Sequence, residues 1–183
     1  MLGKVIEIVK EECKKNKRYT NNVWESHISV VLKYAKFLAK ELKADTEVCQ
    51  LAALLHDFGS LKFGEENHEI TGQAEAQKIL SNLDYSQKLI DQVKECINSH
   101  RGSKDIKPKT LEAKIVANAD AMAHFNSIPA LLRIGLNKYD KNERLATNWV
   151  LEKLEKDWTK KLTIPEAKTM VQEKYYAAKL LFK

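Results

Sequence analysis

Four residues of this chain combine a metal-binding chemistry with positions that should bury them: His27, the doublet His56-Asp57, and Asp120. Imidazole nitrogen and carboxylate oxygen are ordinary ligands for Zn, Mn, Fe or Ni. The doublet closes the run Leu51-Ala52-Ala53-Leu54-Leu55-His56-Asp57-Phe58-Gly59, whose small and branched apolar residues predict a buried helix. Gly59 then reads as the helix stop. Polar side chains at such a place are costly unless something satisfies them. His27 shares a helical stripe with Val31, Tyr34 and Leu38, and Asp120 lies among the small apolar residues of 115–123. Two His and two Asp from three helices could hold one octahedral or five-coordinate divalent ion and leave positions for water.

The elements that must position them are all helices. Val5, Ile6, Val9 and Cys13 mark a first helix, closed by the basic cluster Lys14, Lys15, Lys17 and Arg18. Asn21-Asn22 offers caps for the second helix, and Asp45 or Thr46 caps the third. A polar loop follows over 60–67, then a helix over about 68–80 with Gly72, Ala74 and Ala76 as a small-residue face. Asp84 and Gln87 resemble a capping box before a fifth helix that ends at His100-Arg101-Gly102. A lysine-rich loop over 102–108 leads to a sixth helix from Thr110, and the pattern breaks around Pro129 and Gly135. Two long amphipathic segments close the chain, about 142–162 and 164–182, the second opened by Thr163, Pro165 and Glu166. No stretch reads as a strand and no linker divides the sequence. The expectation is one all-α domain over 1–183, a compact bundle of about seven to eight helices.

Bulk properties agree and narrow the classes. Of 183 residues only 6 are Gly and 3 Pro, which suits helices. The net charge of +6 suits an anionic ligand such as a phosphate ester. Lys and Arg are dispersed among acids without interleaved aromatics, a pattern that argues against nucleic acid as the partner. Cys13, Cys49 and Cys96 lack metal-site or redox spacing and read as reduced thiols of a cytoplasmic protein. The N-terminus does not read as a signal peptide, and no apolar run reaches the roughly 18 residues of a membrane span.

The order His27…His56-Asp57…Asp120 resembles the HD-domain superfamily of metal-dependent phosphohydrolases. LLHDFG at 54–59, HEITGQAEAQKIL at 68–80 and LEAKIVANAD at 111–120 are similar to that family's flanking stretches. The resemblance covers roughly 20–125 and implies His27, His56, Asp57 and Asp120 as metal ligands. His68 and His100 occupy places comparable to the extra ligands of two-metal branches, where Asp57 would bridge the ions. His124 matches no ligand of the family and reads as an ordinary core residue. The implied cofactor is Mn, Mg, Fe, Ni or Co, as one or two ions, and the implied partner is a small phosphorylated, nucleotide-like substrate.

Asp57, Lys62 and Arg101 are the candidate catalytic residues, with Lys104 as a further cation and Glu65 or Glu66 as a possible base. Ser60 stands where many relatives carry a lysine, which is why Lys62 is considered. The glycine-tyrosine-proline signature of the cyclic-dinucleotide branch is missing. A non-catalytic nucleotide or metal sensor on the same fold is the alternative function. A di-iron oxygenase is the third, and it would require both His68 and His100.

Overall fold

A computed structural model describes residues 1–15, 22–101 and 106–182. In chain order these form α1 (Leu2–Lys15), a π turn (Trp24–Ile28) leading into α2 (Ser29–Glu41), α3 (Thr46–Leu55), α4 (Phe58–Phe63) and α5 (His68–Ser81). Next come α6 (Gln87–Ser99), α7 (Leu111–Asn126), α8 (Ile128–Lys138), α9 (Glu143–Lys156) running into a second π turn (Asp157–Lys161), and α10 (Pro165–Leu181). The described residues contain no strand. None of these helices is long and apolar enough to cross a membrane.

The centre of the bundle is α7, which is buried on all sides from Ile115 to Phe125. It packs against α2, α3, α6 and α10. Ala113, Ala117, Ala119, Ala121 and Ala123 keep it slim enough for so many neighbours. Its start is capped by Thr110, whose hydroxyl accepts from Ala113 N–H. Asn118, two residues before Asp120, ties down the C-terminal part: its Oδ1 accepts from Thr163 N–H and Ile164 N–H, both at 3.0 Å. That bond replaces the capping box expected of Thr163, and α10 begins instead on Pro165 in its first turn.

Several local expectations shift. Gly59 does not stop α3, which ends at Leu55 with His56 as its cap residue. Gly59 lies inside α4, and a Cβ there would come 2.4 Å from His68 O and 2.5 Å from Gly72 N. Its role is close approach of two helix backbones. Phe58 and Leu61 are buried, so the expected polar loop begins as a helix with an apolar inner face. The expected break at Pro129 is likewise a helix, α8, with Pro129 in its first turn and Gly135 set against Ala146 of α9. Ser86, not Asp84, caps α6. Asp45 caps α3 as expected, accepting from Glu47 and Val48 N–H. Lys17, Arg18, Asn21, Gly102 and Lys104 lie outside the described residues.

Candidate metal centre

All of the candidate side chains but Asp120 are aimed by a helix end or a local departure from regular helix. His27 lies in the π turn before α2, where the widened spiral re-aims a side chain, a device common at functional sites. Asp57 occupies the joint between α3 and α4 at φ −101°, ψ 7°, the bridge region that active-site residues favour. Asn67, left-handed at φ 50°, turns the chain so that His68 opens α5. His100 stands at the end of α6, and Asp120 projects from the middle of α7.

The nitrogens and oxygens converge. His27 Nε2 is 3.1 Å from His56 Nε2 and 3.3 Å from both Asp57 Oδ2 and Asp120 Oδ1. His56 Nε2 is 3.4 Å from Asp57 Oδ2 and 3.7 Å from Asp120 Oδ1. On the other side His68 Nε2 and His100 Nε2 are 3.1 Å apart, and they lie 3.4 and 3.6 Å from Asp57 Oδ1. Adjacent ligands of one ion, with bonds of about 2.0–2.3 Å, stand roughly 2.8–3.8 Å apart. Asp57 therefore offers one oxygen to each of two sets of donors.

The outer hydrogen bonds of three imidazoles suit these donors to a cation. His56, His68 and His100 each place Nδ1 on a backbone carbonyl, at 2.8 Å from Ala53 O, 2.9 Å from Glu65 O and 2.6 Å from Ile97 O. A carbonyl only accepts, so Nδ1 carries the proton and a neutral ring keeps its lone pair on Nε2. The lone pairs of His68 and His100 then face each other across 3.1 Å. A positive ion between them removes that repulsion, and the carbonyls are the outer partners that orient metal-bound imidazoles. Two carboxylates complete the donor set. Burial opposes ionisation of Asp57 and Asp120, but His56, His100 and His27 around the first, and Lys161 and His124 beside the second, hold both well below the usual range. Burial presses the His27 imidazole down, yet Asp120 and Asp57 outweigh it and lift it to about 9.

All six residues expected as ligands thus meet at one place. His124 joins them, against the ordinary core role assigned to it. Its Nδ1 donates to Asp157 Oδ2 at 2.8 Å, and its Nε2 is 3.6 Å from Asp120 Oδ1. Lys62 does not join: its ammonium bonds Glu75 on α5 at 2.7 Å and lies outside the cavity lining. Nearness in sequence misled there, because α4 turns Lys62 to the outer side. Arg101 does line the cavity, steadied by the buried Glu69 at 2.7 Å. Glu65 lines it too, whereas Glu66 is exposed and does not.

The cavity, of about 430 Å³, runs from these donors to a wall built by α8, α9 and the second π turn. Sequence reasoning gave that part of the chain no role. Yet Lys161 Nζ is 2.5 Å from Asp120 Oδ2, with only 8% of its side chain exposed. Trp149, Lys153 and Lys156 also face the cavity, at the i, i+4, i+7 spacing of one helical face. Their spacing was visible beforehand, but only packing shows which face turns inward.

Comparisons with known proteins identify the fold and the family. Ribonuclease Y of Borreliella burgdorferi (strain ATCC 35210 / DSM 4680 / CIP 102532 / B31) is 35% identical over 125 residues, 66% of this chain and 22% of that protein. The tRNA (cytidine(56)-2'-O)-methyltransferase of Picrophilus torridus is 29% identical over 128 residues, 62% of this chain and 35% of that one. The chain thus spans only between about a fifth and about a third of the length of these curated relatives. An HD-superfamily hydrolase from Bacillus thuringiensis has the same fold, with a TM-score of 0.73 and 21% identity over 98% of this chain and 92% of that one. A predicted HD superfamily hydrolase from an uncultured Thermotogales bacterium superposes with a TM-score of 0.64 at 21% identity, covering 97% and 87%. Both likenesses extend over the C-terminal helices. The HD domain model matches residues 24–124, more than half of the sequence and the span that holds every donor above. The chain belongs to the HD domain family, a family of metal-dependent phosphohydrolases.

Proposed function

We propose that this protein hydrolyses a small phosphorylated, nucleotide-like substrate, a phosphomonoester or phosphodiester. The observation that carries the reading is Asp57, whose two oxygens face two separate sets of imidazoles at the floor of one cavity. His27, His56, Asp57 and Asp120 would hold one divalent ion, and Asp57, His68 and His100 a second. Bound there, such ions acidify a water and draw charge from a phosphoryl oxygen.

The chain's own residues supply the rest. Arg101, held by Glu69, presents a fixed guanidinium beside His100 for phosphoryl oxygens on which charge develops. Lys153 and Lys156 make no ion pair among the described residues, so their charge is open to an anion across the cavity. Trp149, one turn earlier on α9, lines the same cavity with the Lys138 ammonium 5.3 Å from its ring centroid, and the ring's other face is the surface on which a planar group would stack. Metal-binding donors, cations and an aromatic ring lining one cavity suit a phosphate ester of a planar group.

The test is metal analysis of the purified protein beside a phosphatase and phosphodiesterase panel run with Mn, Mg, Ni and Co. Nucleotides should be turned over and bare alkyl phosphates only poorly. Nucleotide binding without turnover under every metal would leave a sensor instead. The identity to ribonuclease Y makes a short RNA the further substrate to include.

A further inference from the structure

The chain contains five histidines, and four of them lie where HD-domain proteins place ligands. The fifth, His124, does not. Its side chain is 10% exposed and its Nδ1 is committed to Asp157, itself 4% exposed. That bond sends the remaining nitrogen, Nε2, toward the donors. There Nε2 meets no hydrogen-bond partner among the described residues: Asp120 Oδ1, at 3.6 Å, is too far for a hydrogen bond. The same oxygen is approached by His27 Nε2 at 3.3 Å and His56 Nε2 at 3.7 Å. Three imidazole nitrogens converge on one carboxylate oxygen, which cannot satisfy them all.

Two comparisons within the site identify what they share. The ring centroids of His124 and His27 are 5.3 Å apart, as against 5.2 Å for His27 and His56 and 5.1 Å for His68 and His100. His27, Asp120 and His124 offer three donor atoms within 4.8 Å of one another, the composition and compactness of the Asp57, His68 and His100 set. Two imidazoles and one carboxylate form a known three-ligand face for divalent metals. A carboxylate on the far nitrogen of such an imidazole is the usual means of fixing its orientation and strengthening it as a ligand. A merely structural His–Asp pair needs neither the free Nε2 nor its direction.

We propose that His124, oriented by Asp157, is a fifth protein ligand to the ion held by His27, His56, Asp57 and Asp120. This rests on the metal-binding reading of the site, and it adds a ligand one helical turn beyond the expected last one. Five protein donors would leave an ion there fewer positions for water or substrate than four would. The neighbouring ion, with three protein donors, keeps more.

The experiment counts metal-bound imidazoles in the unmodified protein. With histidine labelled by ¹⁵N, saturation with Zn(II) should move the Nε2 resonance of all five histidines. Four shifted and one unshifted would overturn the assignment of His124 while leaving the metal site intact. No shift at all would overturn the site and the proposal together. In parallel, His124→Ala should weaken one Co(II)-binding step at least tenfold and change the visible Co(II) spectrum. Asp157→Asn should weaken the same step, by about 10–100-fold at most. Unchanged affinities and an unchanged spectrum in His124→Ala would place that imidazole outside the coordination sphere.

Discussion

Lys161 and Asp120 form a buried ion pair, ammonium to Oδ2 at 2.5 Å, while Oδ1 of the same carboxylate turns to three imidazoles. The pair leaves Asp120 one oxygen to offer an ion. It also makes the second π turn, far along the chain, part of the site. Lys161→Met would strand a buried carboxylate, which costs about 3–5 kcal/mol when nothing compensates. An ion on Oδ1 does compensate. The loss measured by urea unfolding should therefore be large in EDTA and clearly smaller with saturating Mn(II). Equal losses in both conditions would show that Asp120 is not a ligand.

Asp57 separates the two donor sets. Asp57→Ala should abolish metal binding and activity while far-UV circular dichroism keeps its helical signal. His100→Ala should lower the Mn(II) content from two ions to one per chain and cost orders of magnitude in rate. A wild-type stoichiometry of one, unaltered by His100→Ala, would restrict that histidine to contact with substrate.

Proton linkage at His27 has a definite sign in the metal-free protein. Its folded pKa of about 9 lies above the ordinary value of 6.5, so its pairing with Asp120 and Asp57 stabilises fully below pH 6.5. That contribution falls away as pH rises through about 9. Thermal melts in EDTA should show it between those values. With metal bound the imidazole must be neutral, so the same alkaline loss should vanish and binding should release protons. A flat metal-free profile across this range would contradict the pairing.

Trp149→Ala tests the distal wall. Loss of a stacking surface costs about 1–3 kcal/mol, so KM for the preferred nucleotide should rise roughly 5- to 150-fold. Metal content should not change. Lys153→Ala should likewise raise KM, with an effect that shrinks at high salt.

Much of the donor set was legible because its residues are polar exceptions inside apolar helical patterns. His27, His56-Asp57 and Asp120 each interrupt a stripe or run whose burial could be read directly. His68 and His100 were found only through the family pattern, since both stand at helix ends where an exposed histidine is ordinary. Lys161, Asp157 and Trp149 sit in amphipathic helices among many other charges, and their inward direction is set by long-range packing on α7. Lys62 was placed wrongly because two residues along α4 is half a turn around it. Gly59 was read as a helix stop, when its missing Cβ admits the backbone of α5.

The two donor sets close over different stretches of chain. One is complete within residues 57–100, carried by α3 to α6. The other needs α2, α3 and α7, and Asp120 is buttressed by Lys161. Every residue of the first set has been made by the time the chain reaches position 100, whereas the second waits for Asp120 and its brace Lys161. A change near the second π turn therefore reaches one donor set directly and the other only through the shared carboxylate of Asp57.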